Sequence, residues 1–285
     1  MCIRDSLLIG LFAWSDITKL QVPEGFEIQE FVTEIDDARQ MVEGSNFIFV
    51  GTKSAGNVYA IDKNNANKVS VILTDLDMPT GVALKNGNLY IAETDTIHIV
   101  KNIEEKLSSN KEITTEIFFS DLPRKTMWNP VTKGWHGWKW IDFGPDGALY
   151  ISEGVPCNVC DEDDPRYGTI LKLENDNLSI FADGVRNSVG FDWHPVSQEM
   201  YFTDNGRDWM GDDIPPCELN RVVSPGVTLV FHLFMERTYL MINSKHQKIS
   251  HFHNLFGNSK HTLLPWELNS TVVKVFQNTT EMVHL

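Results

Sequence analysis

Positive charge is scarce in this sequence of 285 residues, in which 24 Lys and Arg residues stand against 39 Asp and Glu residues and give a formal net charge of −15. A chain this acidic is repelled by phosphate backbones, so we expect no nucleic-acid partner. Long apolar runs are also lacking, and a helix that crosses a bilayer needs about 20 such residues. We therefore expect no membrane span. Hydrophobic residues nevertheless make up 42% of the chain, which is enough for a folded core.

Cysteine is rare, and the spacing of the four cysteines argues against a structural zinc site. Cys157 and Cys160 form a CxxC pair, but neither a second pair nor a histidine at zinc-finger spacing accompanies them. In an exported protein, a local disulfide is the favoured interpretation of this pair. The alternative is two free thiols in a surface loop.

Residues 1–19 have the character of a leader. Residues 1–6 read MCIRDS, which resembles translated sequencing-adapter sequence, and we leave them out of the fold. Residues 7–13 are apolar and are followed by polar sequence, as in the hydrophobic region and end of a secretory signal. The alternative is a buried first strand. The signal interpretation predicts a periplasmic or extracellular protein.

A short motif typical of β-strands occurs four times. Each copy combines β-branched or aromatic residues with turn residues at its ends. The copies are Asn46–Gly51 (NFIFVG), Asn88–Glu93 (NLYIAE), Ala148–Glu153 (ALYISE) and Glu199–Asp204 (EMYFTD). Their equivalent aromatic residues follow one another at intervals of 41, 60 and 51 residues.

Three of these copies follow a turn, at residues 85–87, 144–147 and 194–197. Another apolar strand is predicted before each turn, at residues 81–84, 138–143 and 190–193. A strand-turn-strand unit that recurs at such intervals without helical periodicity is typical of the blades of a β-propeller. The sequence therefore predicts an all-β fold of the β-propeller type. A β-sandwich is the alternative, although the interval is long for one pair of strands.

The pattern stops near residue 226. Beyond it lie only one of the 19 glycines, no aspartate and no Asn-Gly or Asp-Gly turn, but six of the nine histidines. Residues 227–285 have a net charge of +2, against −17 for the preceding 226 residues. We interpret residues 20–226 as a partial propeller and residues 227–285 as foreign to it, as in an out-of-frame translation. A divergent helical or β extension is the alternative.

Three segments resemble the soluble glucose/sorbosone dehydrogenases: HGWKWIDFGPDGALYISEG (136–154), GVRNSVGFDWHP (184–195) and TDNGRDWMGDDIPPCELNRV (203–222). Members of that family are six-bladed β-propellers that use pyrroloquinoline quinone (PQQ) and calcium. The resemblance covers about residues 20–226, which implies that about four blades are represented here. It implies oxidation of an aldose, sorbosone or a similar polyol by hydride transfer to the quinone, with an electron acceptor that the sequence does not identify.

His136 precedes Gly144 by eight residues and so matches the family's catalytic histidine by position. Hydride leaves a carbinol carbon only as the hydroxyl proton is removed, and an imidazole, which titrates near neutral pH, suits that general-base role. The alternative is a histidine that is hydrogen-bonded inside a cluster of tryptophans.

Arg186 and Asn187 match the family's Arg-Asn pair that lies against the quinone, and Asn205 and Gly206 lie where the family gathers further cofactor ligands. A guanidinium can stack on a quinone and pair with its carboxylates, and an amide can donate to a quinone oxygen. The alternative is a structural Arg-Asn pair at a blade turn.

The resemblance also implies a calcium site, for which we predict Asp212, Asp213 and Glu218 as ligands. Calcium takes oxygen ligands from carboxylates and carbonyls. Cys217 stands where the family commonly has a carboxylate, and a thiol is a poor calcium ligand.

Two other functions remain open from the sequence. One is a calcium-dependent lactonase on a similar propeller, in which a metal-bound water attacks an ester. The other is a non-catalytic propeller that binds a carbohydrate or a protein through its loops. Residues 227–285 match none of the family's later blades, which close the ring and supply further cofactor ligands. We therefore expect the chain as written to be inactive or unstable.

Overall fold

A computed structural model describes seven segments of the chain, which contain strands and one short helix, α1 Ile103–Ser108. None of the described helical segments is long and apolar enough to cross a membrane. The described segments are residues 20–123, 136–159, 163–210, 216–222, 226–228, 272–277 and 282–283. The strands in chain order are β1 Phe26–Val32, β2 Ala38–Glu43, β3 Phe47–Thr52, β4 Val58–Asp62, β5 Asn65–Leu73, β6 Gly81–Lys85, β7 Asn88–Ala92, β8 Ile97–Val100, β9 Glu116–Phe119, β10 Ile141–Phe143, β11 Leu149–Glu153, β12 Thr169–Glu174, β13 Asn177–Asp183, β14 Phe191–Trp193, β15 Met200–Asp204, β16 Glu218–Val222, β17 Val227–Thr228, β18 Val272–Gln277 and β19 Met282–Val283.

Four antiparallel sheets of consecutive strands form four blades of a β-propeller. Blade 1 consists of β2–β5, blade 2 of β6–β9, blade 3 of β10–β13 and blade 4 of β14–β16, while β17 pairs in parallel with β13. Each copy of the sequence motif supplies the second strand of a blade. The predicted propeller with about four blades is therefore confirmed, and the sandwich alternative is wrong.

Strands β1, β18 and β19 form a sheet of their own, in which both pairings are antiparallel. They belong to a second compact unit, whose described residues are 20–36, 272–277 and 282–283. That residues 227–285 are foreign to the propeller stays a prediction, as do the boundaries at residues 19 and 226.

Blades 2 and 3 bury both faces of their sheets. Because alternate residues of a strand point to opposite sides of the sheet, one strand packs against both neighbouring blades. In β7, Leu89 and Ile91 pack against blade 1, whereas Tyr90 and Ala92 pack against blade 3. Strand β11 repeats this alternation between blades 2 and 4. This two-sided burial explains why the motif is nearly continuously apolar.

The hairpin turns between the first and second strands of the blades lie on one rim of the propeller, and their residues suit the conformation of these turns. Asn86 and Gly87, between β6 and β7, have φ of 52° and 77°, so both central residues are left-handed, as a two-residue hairpin of type I′ requires. Gly147, before β11, has φ of 81°, and Asp146 accepts the N–H of Ala148 at 3.1 Å. The Asn-Gly and Pro-Asp-Gly turns are therefore confirmed as hairpin turns.

Buried polar side chains tie together the inner strands of blades 1 to 3. Gln40 on β2 donates to the Ile141 carbonyl at 2.6 Å, and its Oε1 accepts the N–H groups of Val82 and Ile141, each at 3.1 Å. Thr80 Oγ1 donates to the Lys139 carbonyl at 2.8 Å and accepts the Lys139 N–H at 3.0 Å. These bonds fix the loop before β10 against blade 2.

Candidate functional site

The antiparallel order of the strands brings most of the predicted site residues to one rim. The loop that enters the first strand of a blade and the loop that leaves its second strand lie at the same end. His136 precedes β10, Arg186 and Asn187 precede β14, and Asn205 and Gly206 follow β15. The candidate site therefore lies on the rim opposite the hairpin turns, at blades 3 and 4.

Val155, which follows β11, joins His136 to Arg186. Its carbonyl oxygen lies 2.8 Å from His136 Nδ1, and its N–H donates to the Arg186 carbonyl at 2.9 Å. A backbone carbonyl can only accept, so Nδ1 carries the proton and Nε2 has a lone pair. One peptide unit thus sets both the tautomer of His136 and its place beside Arg186.

The imidazole of His136 is neutral at pH 7. The residue is only 3% exposed, and desolvation is the main reason that its pKa falls to about 3. The charges of Arg186 and Lys53 lower this pKa further, whereas the hydrogen bond to the Val155 carbonyl raises it. A neutral ring is the form that can accept a proton.

His136 is held in an unusual backbone conformation. Its φ is +60°, in the left-handed region that costs a non-glycine residue about 1–3 kcal/mol. Gly154 gives it room, since a Cβ at that position would lie 2.6 Å from His136 Cβ and 2.8 Å from the His136 carbonyl oxygen. Trp138 packs edge-on to the imidazole with ring centroids 5.9 Å apart. Of the other members of the expected tryptophan cluster, Trp140 packs against the core between blades 3 and 4, and Trp128 and Trp135 lie outside the described residues.

Lys53 reaches this region from blade 1 and has no counterpart among the residues predicted from the sequence. Its Nζ lies 3.7 Å from the centroid of the Trp138 ring. Burial lowers the pKa of Lys53, and Arg39 lowers it further, whereas Asp37 raises it. Its position directly after β3, on the same rim, was the one signal that could have identified it.

The guanidinium of Arg186 is anchored by protein acceptors. Nε donates to the Asn158 carbonyl at 3.0 Å, Nη1 to the Asn205 carbonyl at 3.0 Å, and Nη2 to Asn158 Oδ1 at 2.8 Å and Asp208 Oδ2 at 3.3 Å. The residue is 2% exposed, and desolvation lowers its pKa while Asp208 raises it. With so many donors engaged, Arg186 offers a ligand mainly its positive charge.

Asp204, the last residue of β15, fixes the backbone of the Arg-Asn pair. Its carboxylate accepts the Arg186 N–H at 2.9 Å and the Asn187 N–H at 2.7 Å. Burial raises the pKa of Asp204 to about 7, although these backbone hydrogen bonds lower it. Asn205 donates its N–H to the Asn187 carbonyl at 3.1 Å, so the two predicted asparagines are neighbours.

The predicted calcium ligands are not brought together among the described residues. Asp212 and Asp213 lie outside them, and Glu218 is exposed at the start of β16, opposite Asp204 in the register. The described parts of the chain contain no group of three or more His, Cys, Asp and Glu residues that could hold a metal. Cys217 is an exposed free thiol. The calcium site stays a prediction.

The charges and donors of this rim fit an anionic ligand such as the carboxylate-bearing PQQ. Arg186 and Lys53 both act electrostatically on His136. Nε of Arg207, which follows Gly206, is buried and finds no acceptor within the described segments. Buried donors normally have a partner, so an orphaned one points to a missing ligand or ion.

Cys157 is disulfide-bonded, as the local-disulfide interpretation expects. Cys160, its expected partner, lies outside the described residues. Asn158 between the two cysteines supplies two acceptors for Arg186, a role that no spacing pattern indicates. The loop that contains the CxxC pair therefore helps to hold Arg186.

No family model matches the sequence. A curated relative, an uncharacterized protein of Borreliella burgdorferi, is 34% identical over 233 residues, which are 75% of this chain and 59% of the relative. The chain therefore spans less than two thirds of the length of this relative.

Solved structures share the fold. An oxidoreductase of Thermus thermophilus described as a glucose dehydrogenase has a TM-score of 0.57 at 16% identity, covering 79% of this chain and 73% of its own. The PQQ-bound aldose sugar dehydrogenase of Streptomyces coelicolor has a TM-score of 0.53 at 17% identity, covering 72% of this chain and 66% of its own. This chain thus has the β-propeller fold of soluble sugar dehydrogenases, which supports the resemblance seen in its three motifs.

Proposed function

We propose that this chain is a PQQ-dependent dehydrogenase that oxidises an aldose, sorbosone or a similar polyol. The observation that carries the proposal is the link through Val155 between a neutral, buried imidazole and a buried guanidinium. Removal of a hydroxyl proton together with hydride transfer to an anionic quinone needs such a base beside such a charge.

His136 is the base in this proposal. Its Nε2 lone pair accepts the substrate's hydroxyl proton, while the Val155 carbonyl holds Nδ1–H and stabilises the imidazolium that forms. A general base of this kind contributes a factor of about 10²–10⁴ in rate. Arg186 and Asn187 would hold the quinone, which would supply the hydride acceptor for the carbinol carbon.

Arg186, with Asn187 fixed beside it, supplies the positive charge that attracts the cofactor, and Asn205, Gly206 and Arg207 line the same rim. The charge of Arg186 lowers the pKa of His136, and an anionic ligand there offsets that charge. Ligand binding therefore raises this pKa towards the range in which a base works best.

The proposal includes a calcium ion, with Asp212, Asp213 and Glu218 as its ligands, and the need for calcium is to be tested. We also propose a periplasmic or extracellular location. The disulfide at Cys157 supports it, because such bonds persist in oxidising compartments.

The first test is equilibrium binding of PQQ, with and without calcium, measured by the quenching of tryptophan fluorescence. It uses a version of the chain in which closing blades are restored after residue 226, because we expect the chain as written to be inactive or unstable. We expect saturable binding that Arg186→Lys weakens about tenfold, since an ammonium group cannot make all the hydrogen bonds to Asn158, Asn205 and Asp208 that hold the positive charge in place. Arg166→Lys is the matched control, because Arg166 pairs with Asp164 and Asp121 away from His136. Absence of saturable binding would refute the proposal.

The second test is aldose-dependent reduction of a dye, which stands in for the unidentified electron acceptor. The PQQ-loaded chain should lose about 10²–10⁴ in kcat on His136→Gln. Lactone hydrolysis without quinone would instead support a lactonase, and saturable glycan binding without either activity would support a binding module.

A further inference from the structure

The strand motif ends in a carboxylate in three of the four blades. The sixth residue of the motif is Glu93 in blade 2, Glu153 in blade 3 and Asp204 in blade 4, whereas blade 1 has Gly51 there. Each of these carboxylates lies at the end of the second strand of its blade. All three are therefore on the rim that carries the candidate site.

Each carboxylate binds the loop that enters its own blade. Glu93 Oε1 accepts the N–H of Asp77, which lies before β6, at 2.7 Å. Glu153 lies 2.8 Å and 2.7 Å, through its two oxygens, from Nζ of Lys139, which lies before β10. Asp204 accepts the N–H groups of Arg186 and Asn187, which lie in the loop before β14. The same position in the repeat thus ties down the same loop in three successive blades.

In blade 3 the tied loop carries His136. Lys139 Nζ also donates at 2.8 Å to the carbonyl of Gly137, the residue after His136. Glu153 directly precedes Gly154, against which His136 packs. Both side chains of the Lys139–Glu153 pair are fully buried, with 0% exposure. The pair therefore clamps the two segments that contact His136.

We propose that Glu153 and Asp204 are positioning residues of the site. Glu153, through Lys139, holds the strained loop of His136, and Asp204 holds Arg186 and Asn187 through their backbone N–H groups. The inference rests on the proposed function for what these loops do.

Glu93 offers a matched control. It occupies the same place in the repeat and accepts a backbone N–H at 2.7 Å, and its loop, residues 77–80, carries no candidate site residue and reaches the loop of His136 through the side chain of Thr80. A carboxylate that serves only to stabilise a blade should give similar results in all three blades, whereas a positioning carboxylate should not.

The test compares Glu153→Gln, Asp204→Asn and Glu93→Gln in the full chain. Amide hydrogen exchange should speed up at Lys139 and Trp140 in the first variant, at Arg186 and Asn187 in the second, and at Asp77 and Met78 in the third. Because Thr80 bonds to the backbone of Lys139, the third variant should also speed up exchange at Lys139, but less than the first variant does. Nitrogen NMR of the His136 ring should show the Nδ1–H tautomer in the wild type and a mixture of tautomers in Glu153→Gln.

The loaded chain provides a second readout. Glu153→Gln should lower kcat about 100-fold with KM little changed, because a small misplacement of a catalytic group has an effect of that order. Asp204→Asn should weaken PQQ binding about tenfold. Glu93→Gln should leave PQQ binding unchanged and should lower kcat much less than Glu153→Gln does.

The inference would be overturned if Glu153→Gln kept the wild-type rates of amide exchange and the wild-type tautomer of His136. It would also be overturned if Glu93→Gln lost as much function as Glu153→Gln and Asp204→Asn. Should the wild-type chain bind no PQQ and reduce no dye, the proposed function fails. The hydrogen exchange and the histidine tautomer, which need no cofactor, then still decide whether the two carboxylates position these loops.

Discussion

Replacement of His136 by glutamine should make the protein less sensitive to acid. The pKa of His136 falls from an ordinary value of 6.5 to about 3 in the folded chain, mainly because the ring is buried. Below pH 6.5 the unfolded chain therefore binds a proton that the native chain does not bind. Stability is lost as the pH falls from 6.5 towards 3, and glutamine, which does not titrate, removes this loss.

The size of the effect follows from the two pKa values. Each pH unit between them corresponds to about 1.4 kcal/mol, so the wild type should lose about 2 kcal/mol through His136 between pH 7.5 and pH 5. Glu153 and Asp204 act in the opposite direction, because burial raises the pKa of each to about 7 and the native state takes up their protons first. The pH dependence of wild-type stability therefore contains contributions of both signs. The difference in the free energy of unfolding between variant and wild type isolates the contribution of His136.

The assay is urea unfolding followed by tryptophan fluorescence at both pH values. The free energy of unfolding of His136→Gln should rise relative to that of the wild type by about 2 kcal/mol on going to pH 5. His194→Gln, which changes an exposed histidine in the turn between β14 and β15, measures the contribution of a surface imidazole. A difference between His136→Gln and the wild type that stays constant with pH would refute the assignment of a buried, neutral ring.

Three further substitutions probe the surroundings of this ring. Gly154→Ala should cost about 1–3 kcal/mol of stability in urea unfolding, because the new methyl group overlaps His136; an unchanged midpoint would show that the loop is loose. Lys53→Met should raise the pKa of His136 in an NMR titration, since the charge of Lys53 lowers it, and an unchanged value would remove Lys53 from the site. Asn158→Leu should destabilise the fold by about 1–3 kcal/mol and weaken PQQ binding, because a donor of Arg186 loses its acceptor; unchanged binding would contradict that role.

The fold was predictable because its signals are local. Alternation along Leu89 to Ala92 places apolar residues on both faces of one strand, and Asn86-Gly87 specifies a hairpin turn whatever the rest of the chain does. The first strand of blade 3 was predicted from Trp138, but it begins at Ile141. The N–H groups of Lys139 and Trp140 bond to the side-chain oxygens of Thr80 and Ser152 instead of to backbone carbonyls, and such bonds leave no periodicity in the sequence.

The candidate site was predictable only in part. His136 and Arg186 emerged from motifs that resemble a family, and the structure places them on one rim. Val155 could not be found in this way, because it acts through its backbone, which any residue provides. Lys53 lies more than 80 residues before His136 in the sequence, and only the arrangement of the blades brings its charge within reach.

Burial is the main cause of the low pKa of His136, and the charges that lower this pKa further are those that would attract an anionic cofactor. Arg186 and Lys53 lower the pKa of His136, so a negative ligand that offsets their field must raise it, and protonation of His136 must in turn strengthen binding of that ligand. With a net charge of −15, the chain as a whole repels anions, and only a local, buried group of cations can reverse this. In the proposed dehydrogenase, the base strength of His136 and the affinity for the cofactor are therefore two measures of one electrostatic coupling.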